Sequence, residues 1–299
     1  MSSNISRSVN TAVSTQMSTL VVEGGHRLSG RVEVGGNKNA ALPLLAACVL
    51  TDQPCVLTNV PRIADVGVMA QLLVGLGAEV EGLGTTRLRV CCKKVASNRP
   101  DPALVGQLRG SVLLLGPLLA RTGSARLAPP GGDFPARRTL AAHFHALAAM
   151  GAGEVGGAEH ALDAPDGLTG ASIYLEEASV TGTETAILAA AAATGPTEIR
   201  HAACEPHVVE LCQFLSKMGV GVSGEGTPTI RVEGGGRLGG AEHRLSGDYV
   251  EAGSWLVIAA VTGGEIEVLG ARACDMEPIT AVLTRMQVRC KVEDGRVSA

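Results

Sequence analysis

Asp133 stands between Gly132 and Phe134, with Arg137 and Arg138 four and five residues further on, in A-P-P-G-G-D-F-P-A-R-R-T-L-A-A-H at 128–143. A Gly-Gly pair frees the backbone to swing or to adopt positive φ. Two neighbouring guanidiniums can grip a phosphate or carboxylate in bidentate fashion. A carboxyl on such a loop beside paired arginines suits acid–base chemistry on an anionic substrate; the alternative is a surface turn with solvated charges. Lys38 and Asn39, in G-G-N-K-N-A-A-L-P at 35–43, form a second polar pair at the head of an apolar helix pattern. They read either as substrate contacts or as a solvated helix-entry turn. Arg109, in L-R-G-S at 108–111, is a third cationic position. His143 and His145 lie two residues apart on one helix pattern, face different sides of it, and read as surface or packing residues.

Composition excludes several classes. A net charge of −4 with 2% aromatic residues leaves neither the basic face nor the stacking platform that nucleic acid requires. The eight cysteines contain no C-x-x-C pair, and the adjacent Cys91 and Cys92 suit neither a disulfide framework nor a tetrahedral metal site. Most lie in apolar patterns and read as small buried hydrophobes, in a reducing compartment. The longest apolar run, 112–120, is broken by Gly116-Pro117 and is too short to span a membrane. Residues 1–18, rich in Ser, Thr and Asn, lack the apolar core of a secretory signal and read as a disordered tail, with an organelle transit peptide as the alternative. Gly75-Leu76-Gly77 follows a helix pattern rather than a strand, which rejects a dinucleotide fingerprint.

The elements that must position these residues recur. A strand over 31–34 leads into a helix over 40–50, a strand over 55–57, a helix from Asp65 to Leu76, and strands over 78–81 and 86–90. The order repeats with a helix over 110–121, a strand over 124–127, the Asp133 loop, a helix over 140–150 and a strand near Glu154. A third copy has a strand over 172–175, a helix over 183–194, a strand over 197–200, a helix from Glu205-Pro206 to Met218 and strands over 220–222 and 229–232. A fourth has a strand near 244–245, a helix over 252–261, a strand over 265–269, a helix over 277–286 and strands over 288–292 and 296–298. Turn punctuation marks each copy: T-D-Q-P at 51, R-T-G-S at 121, A-T-G-P at 193 and V-T-G-G at 261 close the first helices. An α/β βαβαββ repeat of roughly 60 to 70 residues is longer than a solenoid period, and it implies units that pack around shared helical cores with sheets outside.

The stretches S-G-R-V-E-V-G-G-N-K-N-A-A-L-P at 29–43, N-V-P-R-I-A-D-V at 59–66 and L-R-G-S-V-L-L-L-G-P-L-L-A-R at 108–121 resemble the enolpyruvyl transferase family. So do P-G-G-D-F-P-A-R-R at 130–138, A-S-V-T-G-T-E-T at 178–185, E-P-H-V-V-E-L at 205–211 and D-Y-V-E-A-G-S-W-L-V-I-A-A at 248–260. The resemblance covers nearly all of 20–299 and points to the branch that takes UDP-N-acetylglucosamine, with shikimate 3-phosphate the disfavoured acceptor. It implies an inside-out α/β barrel of βαβαββ units in two domains. One would be complete, with three units over 39–246. The other, over 19–38 and 247–299, would be partial, with an N-terminal strand segment and one unit. The implied reaction transfers the enolpyruvyl group of phosphoenolpyruvate to the 3-hydroxyl of UDP-N-acetylglucosamine and releases phosphate, the first committed step of peptidoglycan synthesis in the cytoplasm. No metal or organic cofactor is implied.

By motif, Lys38 and Asn39 would contact phosphoenolpyruvate and the sugar, Arg109 would bind substrate, and Arg138 would bind the phosphate of phosphoenolpyruvate. Asp133 would be the acid or nucleophile of a mobile loop. Thr139, Leu140, Ala141 and Ala142, with Ser179 and Val180, would line the uridine nucleotide site. Protonation of the enol ether at C3 makes an oxocarbenium-like centre and needs a nearby general acid. Most members of the family carry cysteine at position 133 and a minority aspartate; the epoxide fosfomycin alkylates that cysteine, so insensitivity is expected here. Glu177 stands where many members carry lysine. Four units are legible against six in the family, whose aspartate base, in a P-T-D-M-Q-like motif, would fall past the fourth. A second function therefore stands beside the first: a catalytically dead or split-enzyme fragment that keeps nucleotide-sugar binding or binds a complementing C-terminal fragment.

Overall fold

Strand β1 (Ser29–Glu33) runs through Gly35 and Gly36 into helix α1 (Lys38–Ala47). Asn37 makes that entry a helix start: its Oδ1 accepts the amides of Asn39 at 2.8 Å and Ala40 at 3.3 Å, which would otherwise be orphaned in the first turn. The computed structural model describes residues 21–131, 139–156 and 159–299; Asp133, Arg137 and Arg138 lie outside them.

The chain continues through a 3₁₀ turn (Cys48–Leu50) into β2 (Cys55–Thr58), α2 (Ala64–Gly75), β3 (Glu79–Glu81) and β4 (Arg87–Cys91). Next come α3 (Pro102–Val105), a 3₁₀ segment (Arg109–Leu114), α4 (Leu115–Thr122), β5 (Ser124–Leu127), α5 (Ala141–Ala149), β6 (Gly153–Val155) and β7 (His160–Asp163). The next copy holds β8 (Ser172–Tyr174), α6 (Val180–Ala192), β9 (Pro196–Arg200), α7 (Pro206–Lys217), β10 (Gly221–Ser223) and β11 (Thr229–Glu233). The last part holds β12 (Glu242–Arg244), α8 (Tyr249–Thr262), β13 (Glu265–Leu269), α9 (Ala273–Arg285), β14 (Lys291–Glu293) and β15 (Arg296–Ser298).

Several boundaries differ from the sequence reading for local reasons. The helix expected over 110–121 is split, because Pro117 has no N–H to give and is tolerated only in the first turn of a new helix. Helix α6 starts at Val180 rather than 183: Ser179 Oγ accepts the Gly182 amide at 3.2 Å, an N-cap that Gly182 obscured in the sequence. Helix α3 and strand β7 were not expected, and β14 begins three residues later than the strand placed at 288.

Three sheets share one plan: a parallel pair extended by an antiparallel hairpin. They run β8-β9-β11-β10, β12-β2-β4-β3 and β1-β13-β15-β14. The fourth, β5-β7-β6, has three strands among the described residues. These pairings correct the chain-order reading. Strand β1 does not open the sheet of α1 and α2 but pairs with β13, 236 residues away in the register Ser29–Glu265, while β12 closes the first sheet by pairing with β2. The chain thus crosses between two halves at 34–38 and returns at 245–248. The crossings are bonded to each other: the Asn37 amide donates to Ser246 O and the Asp248 amide to Gly35 O, each at 2.9 Å. The first crossing also passes against the turn after β2, where only glycine fits: a Cβ on Gly36 would lie 1.7 Å from Asn59 O.

Each half has its own core. The larger cluster draws on residues from Ala41 to Leu245, the smaller on Val34 and residues from Ala252 to Val297. In the larger half α1 is buried from Ala40 to Ala47 and α6 from Gly182 to Ala191, and helices apolar on all sides belong at a centre. Strands such as β2 and β11 alternate buried and less buried residues, as sheets with one face inward do. The expected inside-out order, helices within and sheets outside, is the order adopted.

Candidate active site

A cleft of about 800 Å³ opens where the two halves meet. Helix starts surround it: Lys38 and Asn39 of α1, Arg109 and Gly110 of the 3₁₀ segment, Ser179, Val180 and Thr181 of α6, His207 of α7 and Tyr249 of α8. First-turn amides and the positive end of each helix dipole favour anions. One carboxylate joins two of these starts across the halves. Asp248 Oδ1 accepts the amides of Val250 (2.9 Å) and Glu251 (3.1 Å) in α8, and its Oδ2 accepts the Lys38 amide at 3.2 Å. The Lys38 ammonium, half exposed, is ion-paired with Asp65 at the head of α2.

Behind the α6 start lies His143, fully buried on α5 with its Nε2 2.9 Å from Thr181 Oγ1. Burial first, and the Arg109 guanidinium second, push its pKa down to about 4, against a smaller opposing effect of the Leu140 carbonyl. His143 is therefore a neutral imidazole at pH 7, and the packing role expected for it includes a hydrogen bond to a residue of the cleft.

The opposite wall carries groups that sequence reading did not single out. Glu184, on the second turn of α6, is 1% exposed, and its Oε1 has no hydrogen-bond partner among the described residues. Burial, and then the neighbouring Glu205 charge, raise its pKa well above the usual carboxylate range. Glu205 Oε2 likewise has no such partner. His207 is 3% exposed, with both ring nitrogens unpartnered among the described residues, and stacks on Tyr249 with centroids 6.3 Å apart and planes 14° from parallel. Burial lowers the His207 pKa against the pull of Glu205, Asp248 and Glu210, and burial raises that of the Tyr249 hydroxyl. The available signal was a charged residue inside the apolar run of α6, since buried carboxyls are rare unless they serve something.

Of the residues singled out in advance, Lys38, Asn39, Arg109, Ser179 and Val180 share this cleft, and so does Glu177. Leu140 and Ala141 line a separate hollow of about 410 Å³ with Phe144, Glu154, Val155 and His160. Thr139 and Ala142 border neither; Ala142 packs under the α6 start, where a Cβ on Gly182 would lie 2.9 Å from its own Cβ. Among the described residues no group of three or more His, Cys, Asp or Glu is placed to hold a metal ion.

Residues 22–299 match the family described as EPSP synthase (3-phosphoshikimate 1-carboxyvinyltransferase). The chain belongs to that family. A UDP-N-acetylglucosamine 1-carboxyvinyltransferase from Treponema denticola is 42% identical over 277 residues, covering 93% of this chain and 65% of that protein. One of the same name from Bradyrhizobium diazoefficiens is 42% identical over 273 residues, covering 91% and 63%. This member of the family thus spans just under two thirds of the length of those curated relatives. Its fold is that of the solved enolpyruvyl transferase NikO from Streptomyces tendae, with a TM-score of 0.78 at 21% identity over 92% of this chain and 66% of that one.

Proposed function

We propose that this chain carries the acceptor and anion sites of an enolpyruvyl transferase, which moves the enolpyruvyl group of phosphoenolpyruvate to the 3-hydroxyl of UDP-N-acetylglucosamine and releases phosphate, in peptidoglycan synthesis in the cytoplasm. The observation that carries this reading is the convergence of Lys38, Arg109 and the α1 and α6 starts on one cleft. Two substrates, both anionic, must be held in contact there, and fixed cations with aligned amides neutralise and orient them. Lys38 and Asn39 contact phosphoenolpyruvate and the sugar, Arg109 binds substrate, and Arg138 takes the phosphate of phosphoenolpyruvate. Asp133 supplies the proton to C3, and Ser179 and Val180 meet the nucleotide, with Thr139 to Ala142 on its far side. The same reading assigns 39–246 to one barrel domain and 19–38 with 247–299 to the other, supported by the β1–β13 pairing and the separate cores.

A second reading, in which turnover needs polypeptide beyond these residues as a complementing fragment, is favoured by the greater length of the relatives. One experiment tests both: phosphate release from phosphoenolpyruvate plus UDP-N-acetylglucosamine, by the chain alone and with a two-unit C-terminal fragment added. Release that depends on both substrates in either preparation supports the transferase; release only with the fragment supports the second reading. If neither preparation releases phosphate and neither binds UDP-N-acetylglucosamine, the assignment fails.

A further inference from the structure

We propose that Glu184, on the wall of the cleft, donates a hydrogen bond from its carboxyl O–H to an oxygen of the bound anionic ligand. The proposal rests on the reading of the cleft as an anion site. Three observations lead to it. Glu184 lines the cleft although its side chain is almost wholly buried, and Oε1 finds no protein partner among the described residues. A buried polar atom without a partner costs roughly 1–3 kcal/mol, so its retention at the edge of a cavity points to a partner that enters the cavity. Glu205 lines the same cleft with Oε2 in the same condition, and two neighbouring carboxyls, one of them fully buried, repel each other when both are ionised.

The surroundings of Glu184 decide which of its forms is present. From the α7 side it faces Glu205, His207 and Cys212, the last of which its charge would disfavour as a thiolate. Arg109 lines the same cleft from the 3₁₀ segment, but its charge acts on His143 of α5 and is not a cause of the Glu184 displacement. Helix α4 and strands β9 and β11 turn Leu115, Leu119, Ile199 and Ile230 into the core around α6. Among the described residues, burial and Glu205 are the causes that act on Glu184, and both favour the acid. An ionised carboxylate here would repel a phosphate or carboxylate ligand; the acid instead presents an O–H, a donor that can complete a ring otherwise made of Lys38, Arg109 and helix amides.

Two measurements on the whole chain test this. The first is the infrared difference spectrum at pH 7 between wild type and Glu184→Gln. The expected result is a carboxylic-acid C=O band that belongs to Glu184, and Glu205→Gln moves its titration to lower pH by removing the like charge. A carboxylate band at pH 7 in its place, or a titration indifferent to Glu205→Gln, overturns the proposal. The second is calorimetric binding of UDP-N-acetylglucosamine and of inorganic phosphate. Glu184→Gln keeps a donor and is expected to bind within about threefold of wild type, whereas Glu184→Leu loses about tenfold or more. Wild-type binding of a probe with an unchanged Leu variant refutes the ligand contact while leaving the anion site standing. If wild type binds neither probe, the anion site falls and the ligand contact with it. Near-isosteric Gln keeps the infrared result decisive even if the Leu variant does not fold.

Discussion

Replacing His143 by asparagine should remove a pH-dependent part of the stability of this fold. The folded imidazole stays neutral until the pH falls to about 4, against the ordinary 6.5 of the unfolded chain. Between those values the unfolded state binds a proton that the folded state refuses. Stability is therefore full above pH 6.5 and declines as the pH falls through the window. At about 1.4 kcal/mol per pH unit, this residue alone accounts for a loss of about 2 kcal/mol by pH 5 and about 3 kcal/mol by pH 4. Urea unfolding at pH 7.5 and pH 5, extrapolated to water, compares wild type with His143→Asn. At pH 7.5 the variant should be weaker by about 1–3 kcal/mol, through lost packing and the lost bond to Thr181. At pH 5 that deficit should shrink by about 2 kcal/mol, because only wild type bears the proton penalty. An equal deficit at both pH values would refute the reasoning, since it would mean that the imidazole takes up its proton inside the fold.

Lys38→Ala should lower kcat/KM for phosphoenolpyruvate on the order of 100-fold in an active preparation, with the circular dichroism of wild type; unaltered kinetics would remove Lys38 from the site. Wild-type activity should survive stoichiometric fosfomycin, and Asp133→Cys should become sensitive, as progress curves with and without the epoxide would reveal. Gly36→Ala should destabilise the chain by about 1–3 kcal/mol or more, because the new methyl meets the Asn59 carbonyl, and Asn59 is itself held at a φ of 57°; an unchanged urea midpoint would contradict that contact. Asp248→Ala removes the acceptor from the heads of α1 and α8 together and should cost about 1–2 kcal/mol, read in the same unfolding assay.

Local signals carried much of the fold and part of the cleft. Asn37 caps α1 through contacts within three residues and brings Lys38 and Asn39 to a helix start, where their motif suggested substrate; the equally local Ser179 cap of α6 is hidden in the sequence by Gly182. The missing parts depend on partners far along the chain. Parallel pairing leaves no mark in a strand of three to five residues, so the grouping of β1 with 247–299 and of β12 with the larger half comes from the family resemblance and not from the strands themselves. The environment of Glu184 is likewise made by α5, α7 and the 3₁₀ segment closing around α6, and the stack of His207 on Tyr249 joins residues 42 positions apart. Leu140 and Ala141 show the converse: proximity to the arginine pair in sequence does not carry them into the cleft of Lys38.

The paired crossings make the larger half an inserted module whose two ends meet. The amide of Asn37 and the carbonyl of Ser246 are 2.9 Å apart, and everything between them encloses its own core. Such a module can be excised, or opened at a surface turn and rejoined through a short linker at 37 and 246, without altering its internal pairings. A cut made where one repeat follows another in sequence would do the opposite. It would separate β2 from β12, a strand supplied 186 residues later in the register Val56–Glu242. The unit expected to keep its pairings on transfer is therefore the block between Asn37 and Ser246, whose ends meet, rather than a single repeat.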